Sequence, residues 1–168
     1  MPDTTGKTPP TIIVIFGASG DLTARKLVPA IFNLSKDGLL PTSCHLIGYG
    51  RTEMSVDSFR EYIGKSLESY SRRQIEKETW NSLSSNISFH AGPYDDLASF
   101  EKLEQKITTI EKKIGSPAQC LFYVSTPPGV FMPILENLGA SGLAKRHKGQ
   151  NTASKVIIEK PFGRDLDS

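Results

Sequence analysis

The chain reads as an α/β protein, a Rossmann-like doubly wound parallel sheet of about five strands with helices on both faces, and three observations carry that reading. Strand and helix patterns alternate from residue 11 to the end. The first strand pattern, TIIVIF at residues 11–16, is β-branched or aromatic throughout, as a strand covered on both faces requires. It then breaks at Gly17 into a glycine-bearing turn that opens a helix. A length of 168 residues supports one ordinary domain with a real core.

The elements follow in order. Residues 1–10, MPDTTGKTPP, are polar and proline-rich and are expected to be a disordered leader, with the domain occupying residues 11–168. After the first strand, residues 20–37 read as a helix with Leu22, Leu27, Ile31 and Leu34 near one face, a kink at Pro29 and a stop at Gly38. Residues 45–48 form a short strand, and Ser55 caps a helix whose stripe is Val56, Phe59, Ile63, Leu67 and Tyr70. A short helix carrying Trp80 spans residues 74–84, and residues 87–90 are the third strand. Leu97, Phe100, Leu103, Ile107, Ile110 and Ile114 recur at threes and fours, so a long helix runs to Gly115. Residues 120–124 are the fourth strand, 130–138 a helix and 156–159 the fifth strand. The intervening run KRHKGQNT at residues 145–152 reads as a solvated polar loop.

Composition removes several function classes. A net charge of +2 gives no basic face for general nucleic-acid binding. Residues 115–135 carry no charge, but Pro117, Pro127, Pro128 and Pro133 exclude a plain membrane helix, and the apolar run at residues 12–16 is too short for a signal peptide. A soluble, cytoplasmic protein is expected. Cys44 and Cys120 lie in apolar stretches with no C-x-x-C and no ligand spacing to His45, His90 or His147, so buried free thiols and no metal site are expected. Gly6-Lys7-Thr8 mimics the end of a Walker motif, but no strand precedes it.

In a parallel sheet of this kind the ligand crevice lies beyond the carboxyl ends of the strands. Four segments sit there. Gly17-Ala18-Ser19-Gly20-Asp21-Leu22 joins the first strand to the first helix, where glycines let a pyrophosphate approach backbone N–H groups at the positive helix end. As a bare pattern it fits a simple turn equally well; its strand-to-helix context favours a dinucleotide. After the second strand, Arg51 stands where an NAD-selective site carries a carboxylate, and a guanidinium there suits the 2′-phosphate of NADP. Ser125, Thr126, Pro127 and Pro128 follow the fourth strand, where they read equally as a purely structural turn or as groups facing the nicotinamide ribose. Glu159-Lys160-Pro161 leaves the fifth strand and places Lys160 at the same crevice.

Taken together, these segments resemble the glucose-6-phosphate dehydrogenase family. The matching stretches are IVIFGASGDLTARKLVPAIFNL, DGLLP, IGYGRT, AGPYDD, FYVSTPP and VIIEKPFGRDL, and they span the chain after the leader. The resemblance implies oxidation of glucose 6-phosphate at C1 with hydride transfer to NADP, at the entry to the pentose phosphate pathway. It places the cofactor pyrophosphate on Gly17, Ala18, Ser19, Gly20, Asp21 and Leu22, and the 2′-phosphate on Arg51 with Lys26 nearby. Ser125, Pro127 and Phe131 fall on the cofactor side, Phe131 where some members have tyrosine. Lys160 would meet both sugar phosphate and nicotinamide. Thr23 stands where alanine is frequent, and its bulk is expected to sit at the helix surface.

The family's general-base histidine and its Arg-Ile-Asp-His-Tyr-Leu-Gly-Lys-Glu stretch do not occur in these residues, and neither does its C-terminal α+β domain. The expectation is therefore a coenzyme-binding part with no catalytic residue of its own, weak binding of NADP, little or no binding of glucose 6-phosphate, and an uncovered sheet edge that favours self-association. Two other readings stand beside it: a free-standing NADP-binding or sensing module, and the Rossmann half of a glucose-fructose oxidoreductase-type enzyme, which shares Glu-Lys-Pro but not the Gly-Ala-Ser-Gly-Asp-Leu loop.

Overall fold

A computed structural model describes residues 8–41 and 43–159. It contains a single five-stranded sheet, all parallel, in the order β3-β2-β1-β4-β5, with β1 Thr11–Phe16, β2 Cys44–Gly50, β3 Ile87–Ala91, β4 Gln119–Val124 and β5 Lys155–Ile158. Helices α1 Val28–Lys36, α2 Val56–Tyr70, α3 Lys77–Ser85, α4 Leu97–Ile114 and α5 Phe131–Ala140 connect them. The order reverses between β1 and β4, and that point fixes where the crevice opens. Each face of the sheet buries its own core. Ile12, Val14 and Phe16 pack with Phe100, Leu103, Ile107, Ile134 and Leu138 of α4 and α5, while Ile15 and Leu46 pack with Phe32, Phe59, Ile63 and Leu67 of α1 and α2. Alternate residues of β1 thus serve opposite layers, which is why the strand had to be apolar throughout.

The helix after β1 differs from its sequence reading. Pro29 does not simply kink it. Residues 23–27 form a wide turn in which the Val28 N–H reaches the Thr23 carbonyl, five residues back. A proline inside a helix clashes with the preceding turn and donates no N–H, and a wider turn relieves both problems. The inserted residue also rotates the face. Thr23, Ala24, Val28, Pro29, Ile31 and Phe32 are buried, whereas Leu34 is 41% exposed instead of lying in the stripe.

The remaining boundaries lie close to expectation. Ser55 caps α2 by accepting the Ser58 N–H, and Gly115 ends α4 with φ +81°. Tyr70 and Leu97, read as stripe members, are each 39% exposed, because both stand at helix ends beyond the layer beneath. Pro9 and Pro10, assigned to the leader, join the sheet margin: the Pro10 carbonyl accepts the Gln119 N–H at 2.7 Å. The rest of the predicted leader at residues 1–7 lies outside the described residues.

The loop at residues 145–152 is not simply solvated. Arg146 bridges Glu104 and Glu111 of α4, and His147 sits 2.9 Å from the Glu111 carboxylate. Glu111 also accepts the Ala118 N–H at 2.9 Å, so one carboxylate ties α4 both to the residue that enters β4 and to the loop. Burial pushes its carboxyl up, but the Ala118 amide, His147 and Arg146 together hold it below the ordinary range. Among the described residues no helix is long and apolar enough to cross a membrane.

Candidate functional site

The glycine turn after β1 is anchored before any ligand is considered. The Gly17 and Ala18 N–H groups both point to the Tyr49 carbonyl at the end of β2, at 3.1 and 3.2 Å, and Gly20 N–H closes the turn on the Gly17 carbonyl at 2.9 Å. Helix hydrogen bonding begins with Ala24 N–H on the Gly20 carbonyl. The donors at the helix mouth are therefore those of Ser19, Asp21, Leu22 and Thr23, since the first amides of a helix have no partner within it.

Gly17 is required here on two grounds. Its φ is +81°, and a Cβ at this position would stand 2.4 Å from the Ser125 carbonyl oxygen and 3.1 Å from Thr126 Cγ2. The loops after β1 and β4 thus touch backbone to backbone across the point where the strand order reverses. Thr23 ties them further. It is fully buried, and its hydroxyl donates to the Gly17 carbonyl at 3.0 Å and lies 3.4 Å from the Ser125 hydroxyl. This corrects the expectation of a surface position. The wide turn rotates residue 23 inward, and a hydroxyl at that point finds two polar partners that a methyl could not use. Thr126 Oγ1 is buried without a partner beside the same junction. An unpaired hydroxyl and a junction closed to any Cβ make a cradle that fits a polar ligand running across the two loops.

Strand β2 extends through Gly50, so Gly48 and Tyr49 belong to it and only Arg51 begins the loop. Arg51 is exposed, its guanidinium lies 5.8 Å from the Tyr94 ring centroid, and no ion pair engages it among the described residues. A ring face beneath a guanidinium limits its freedom while leaving its donors for an anion. Tyr94 was not singled out in the sequence. It is buried, stacks with Tyr49 at 5.6 Å, and burial raises its phenol above the ordinary value against the Gly17 backbone and the Arg51 charge. Tyr94 thus links the glycine turn to Arg51. Its aromatic type next to Gly92-Pro93 was the available signal.

The other expected residues are distributed as follows. Asp21 is paired with Arg25 at 2.5 Å, and Arg25 also lies over the Tyr70 ring at 5.0 Å. Lys26 is exposed on the wide turn. Pro127 is exposed in the loop after β4, and Phe131, the first residue of α5, packs half-buried against the α4 side of the core. Tyr123 near the end of β4 donates to the Glu159 carboxylate just beyond β5; burial first, and then Glu159, push its phenol up to about 12. Lys160 and Pro161 lie outside the described residues. His45, His90 and His147 fall elsewhere: at the start of β2, beside Ser99 of α4, and on Glu111. Among the described residues no group of three or more His, Cys, Asp or Glu could hold a metal ion.

Comparison with known proteins gives a consistent answer. The glucose-6-phosphate 1-dehydrogenase of Chlamydia pneumoniae is 39% identical over 161 residues, covering 95% of this chain and 31% of that protein. Glucose-6-phosphate 1-dehydrogenase 2 of Mycobacterium tuberculosis is 35% identical over 159 residues, again 95% of this chain and 30% of the relative. A solved glucose-6-phosphate dehydrogenase in complex with its substrate glucose-6-phosphate superposes with a TM-score of 0.81 at 32% identity, over 97% of this chain and 33% of that one. The glucose-6-phosphate 1-dehydrogenase of Mycobacterium avium gives 0.78 at 26% identity, over 95% and 32%. The chain therefore spans about a third of the relatives it matches. A family model described as "Glucose-6-phosphate dehydrogenase, NAD binding domain" matches residues 14–168, nearly the whole length, and the chain belongs to that family.

Proposed function

We propose that this chain is the coenzyme-binding part of an NADP-dependent glucose-6-phosphate dehydrogenase, and that these 168 residues hold NADP without oxidising glucose 6-phosphate. The observation that carries the choice of NADP is Arg51, a cation with no ion-pair partner among the described residues, seated over Tyr94 at the end of β2 beside the glycine turn. In this reading the amides of Ser19, Asp21 and Leu22 receive the pyrophosphate, with Gly17, Ala18 and Gly20 shaping the turn around it. Arg51 takes the 2′-phosphate, and Lys26 adds positive charge from the first helix. Ser125, Pro127 and Phe131 border the nicotinamide half, and Lys160 reaches the cofactor and the sugar phosphate. Bound NADP supplies the hydride acceptor; the chain's residues bind and orient it.

None of the three histidines stands at the crevice with a carboxylate to orient it as a general base, which supports the non-catalytic reading. The cytoplasm suits Cys44 and Cys120, both free and buried, with thiols that burial pushes up to about 11 and about 12.

Titrating NADP and NAD against the wild type and Arg51→Ala tests the binding claim. A charge-assisted contact at this exposed position predicts a roughly ten-fold loss of NADP affinity with NAD unchanged. Equal affinities for the two coenzymes, or no response to the substitution, remove Arg51 from the site. Mixing the chain with glucose 6-phosphate and NADP and following reduced-nicotinamide absorbance tests the second claim; sustained turnover refutes it.

A further inference from the structure

Away from the coenzyme crevice, the free edge of the sheet carries a second concave site. β3 is an edge strand, and its odd-numbered residues turn their backbone groups away from β2, because Leu46 N–H takes the Asn86 carbonyl at 3.0 Å. Two of the outward carbonyls are capped by cations. Arg60 of α2 donates from Nη2 to Ile87 O at 3.1 Å, and Lys106 of α4 donates from Nζ to Phe89 O at 2.5 Å. These caps blunt the strand edge, and they also fix two cationic heads beside it.

Next to them lies a cleft of about 480 Å³ whose lining includes Arg60, Lys106, Lys113, His45, Ser88 and Asn86, with no carboxylate among its walls. The nearest acid paired with these cations is Asp57, 3.4 Å from Arg60 Nη1 and almost fully exposed. Arg60, Lys106 and Lys113 thus set three cations around one cleft. A lining with three cations and no acid favours an anion. We infer that this cleft binds a small phosphate-bearing anion, held by Arg60, Lys106 and Lys113, at a site separate from the glycine turn.

His45 is the reporter for this site. Burial and then the Lys113 charge hold its imidazole below the ordinary value; Lys106, and Arg60 with Asp57, are the other charged groups around it. An anion in the cleft offsets those cations and raises the imidazole value.

The test is an NMR titration of the 168-residue chain with inorganic pyrophosphate, read at the His45 ring and, separately, at the Gly17 and Gly20 amides. The expected result is a saturable shift at His45 with its titration midpoint moved upward, and a roughly five-fold weaker response in Lys113→Met, whose exposed position leaves the fold intact. Glycine-turn shifts unchanged by that substitution keep the two sites distinct. Shifts confined to Gly17 and Gly20, an equal His45 response to chloride at matched ionic strength, or wild-type affinity in Lys113→Met each overturn the proposal.

Discussion

Two loops of this chain solve the same problem in opposite ways. The turn at residues 17–22 is held by backbone amides, a close glycine approach and the Thr23 hydroxyl, and among the described residues no acid pairs with the neighbouring Arg51. The loop at residues 145–152 is held by its charges, which Glu104 and Glu111 consume. A basic residue enclosed between two carboxylates is spent on the fold, and local sequence does not reveal where that happens. Arg51 and Arg146 are both flanked by polar residues, yet one faces solvent over an aromatic ring and the other is 12% exposed between two carboxylates.

Substitutions can break each side of this contrast. The largest effect is expected for Gly17→Ala, where a left-handed backbone and a 2.4 Å encounter with Ser125 O combine. A loss of about 3 kcal/mol in thermal or denaturant unfolding, with coenzyme binding abolished, is the predicted outcome. Retained binding would show that the two loops can separate at little cost.

Arg146→Met removes the shared partner of Glu104 and Glu111 and leaves two half-buried acids facing each other. The expected cost is about 2–3 kcal/mol of stability with no change in NADP affinity. A change in coenzyme affinity would join the two loops energetically and erase the contrast.

The same cluster sets an acid dependence. Because the Glu111 carboxyl is held low in the folded state, its contribution is fully present above the ordinary carboxylate range and is lost as pH falls through the lower folded value. Unfolding free energy measured from neutral to acid pH should fall in that window, and Glu111→Gln should flatten the slope there. An unchanged slope would assign the acid sensitivity to other carboxylates.

The smallest effect belongs to Thr23→Val, which keeps the volume and deletes the bridge to Gly17 and Ser125. About 1 kcal/mol of stability is expected to be lost, with a few-fold weaker NADP binding as the two loops loosen. No loss in either measurement would make the residue a space filler.

Much of this was legible in one dimension. The continuous apolar run of β1, the stripes of α2 and α4, the Ser55 cap and the Gly115 stop each depend on neighbours within a few residues, so sequence spacing alone places them. Arg51 at the end of β2 was equally legible, because strand ends in parallel sheets point to the crevice. Thr23 and Tyr94 were not. The inward turn of Thr23 depends on how the helix accommodates Pro29 six residues later, and the position of Tyr94 depends on β3 lying beside β2.

The sequence by itself therefore determined the class of fold and the order of its elements, because hydrophobic period and turn chemistry are local properties. Only the tertiary structure decided which polar groups are spent among the described residues: Arg146 between its carboxylates, the Gly17 and Ala18 amides on Tyr49, and the β3 carbonyls on Arg60 and Lys106. Hydrogen-bond and ion-pair partners are assigned by proximity across the sheet, and residues far apart in the chain supply them.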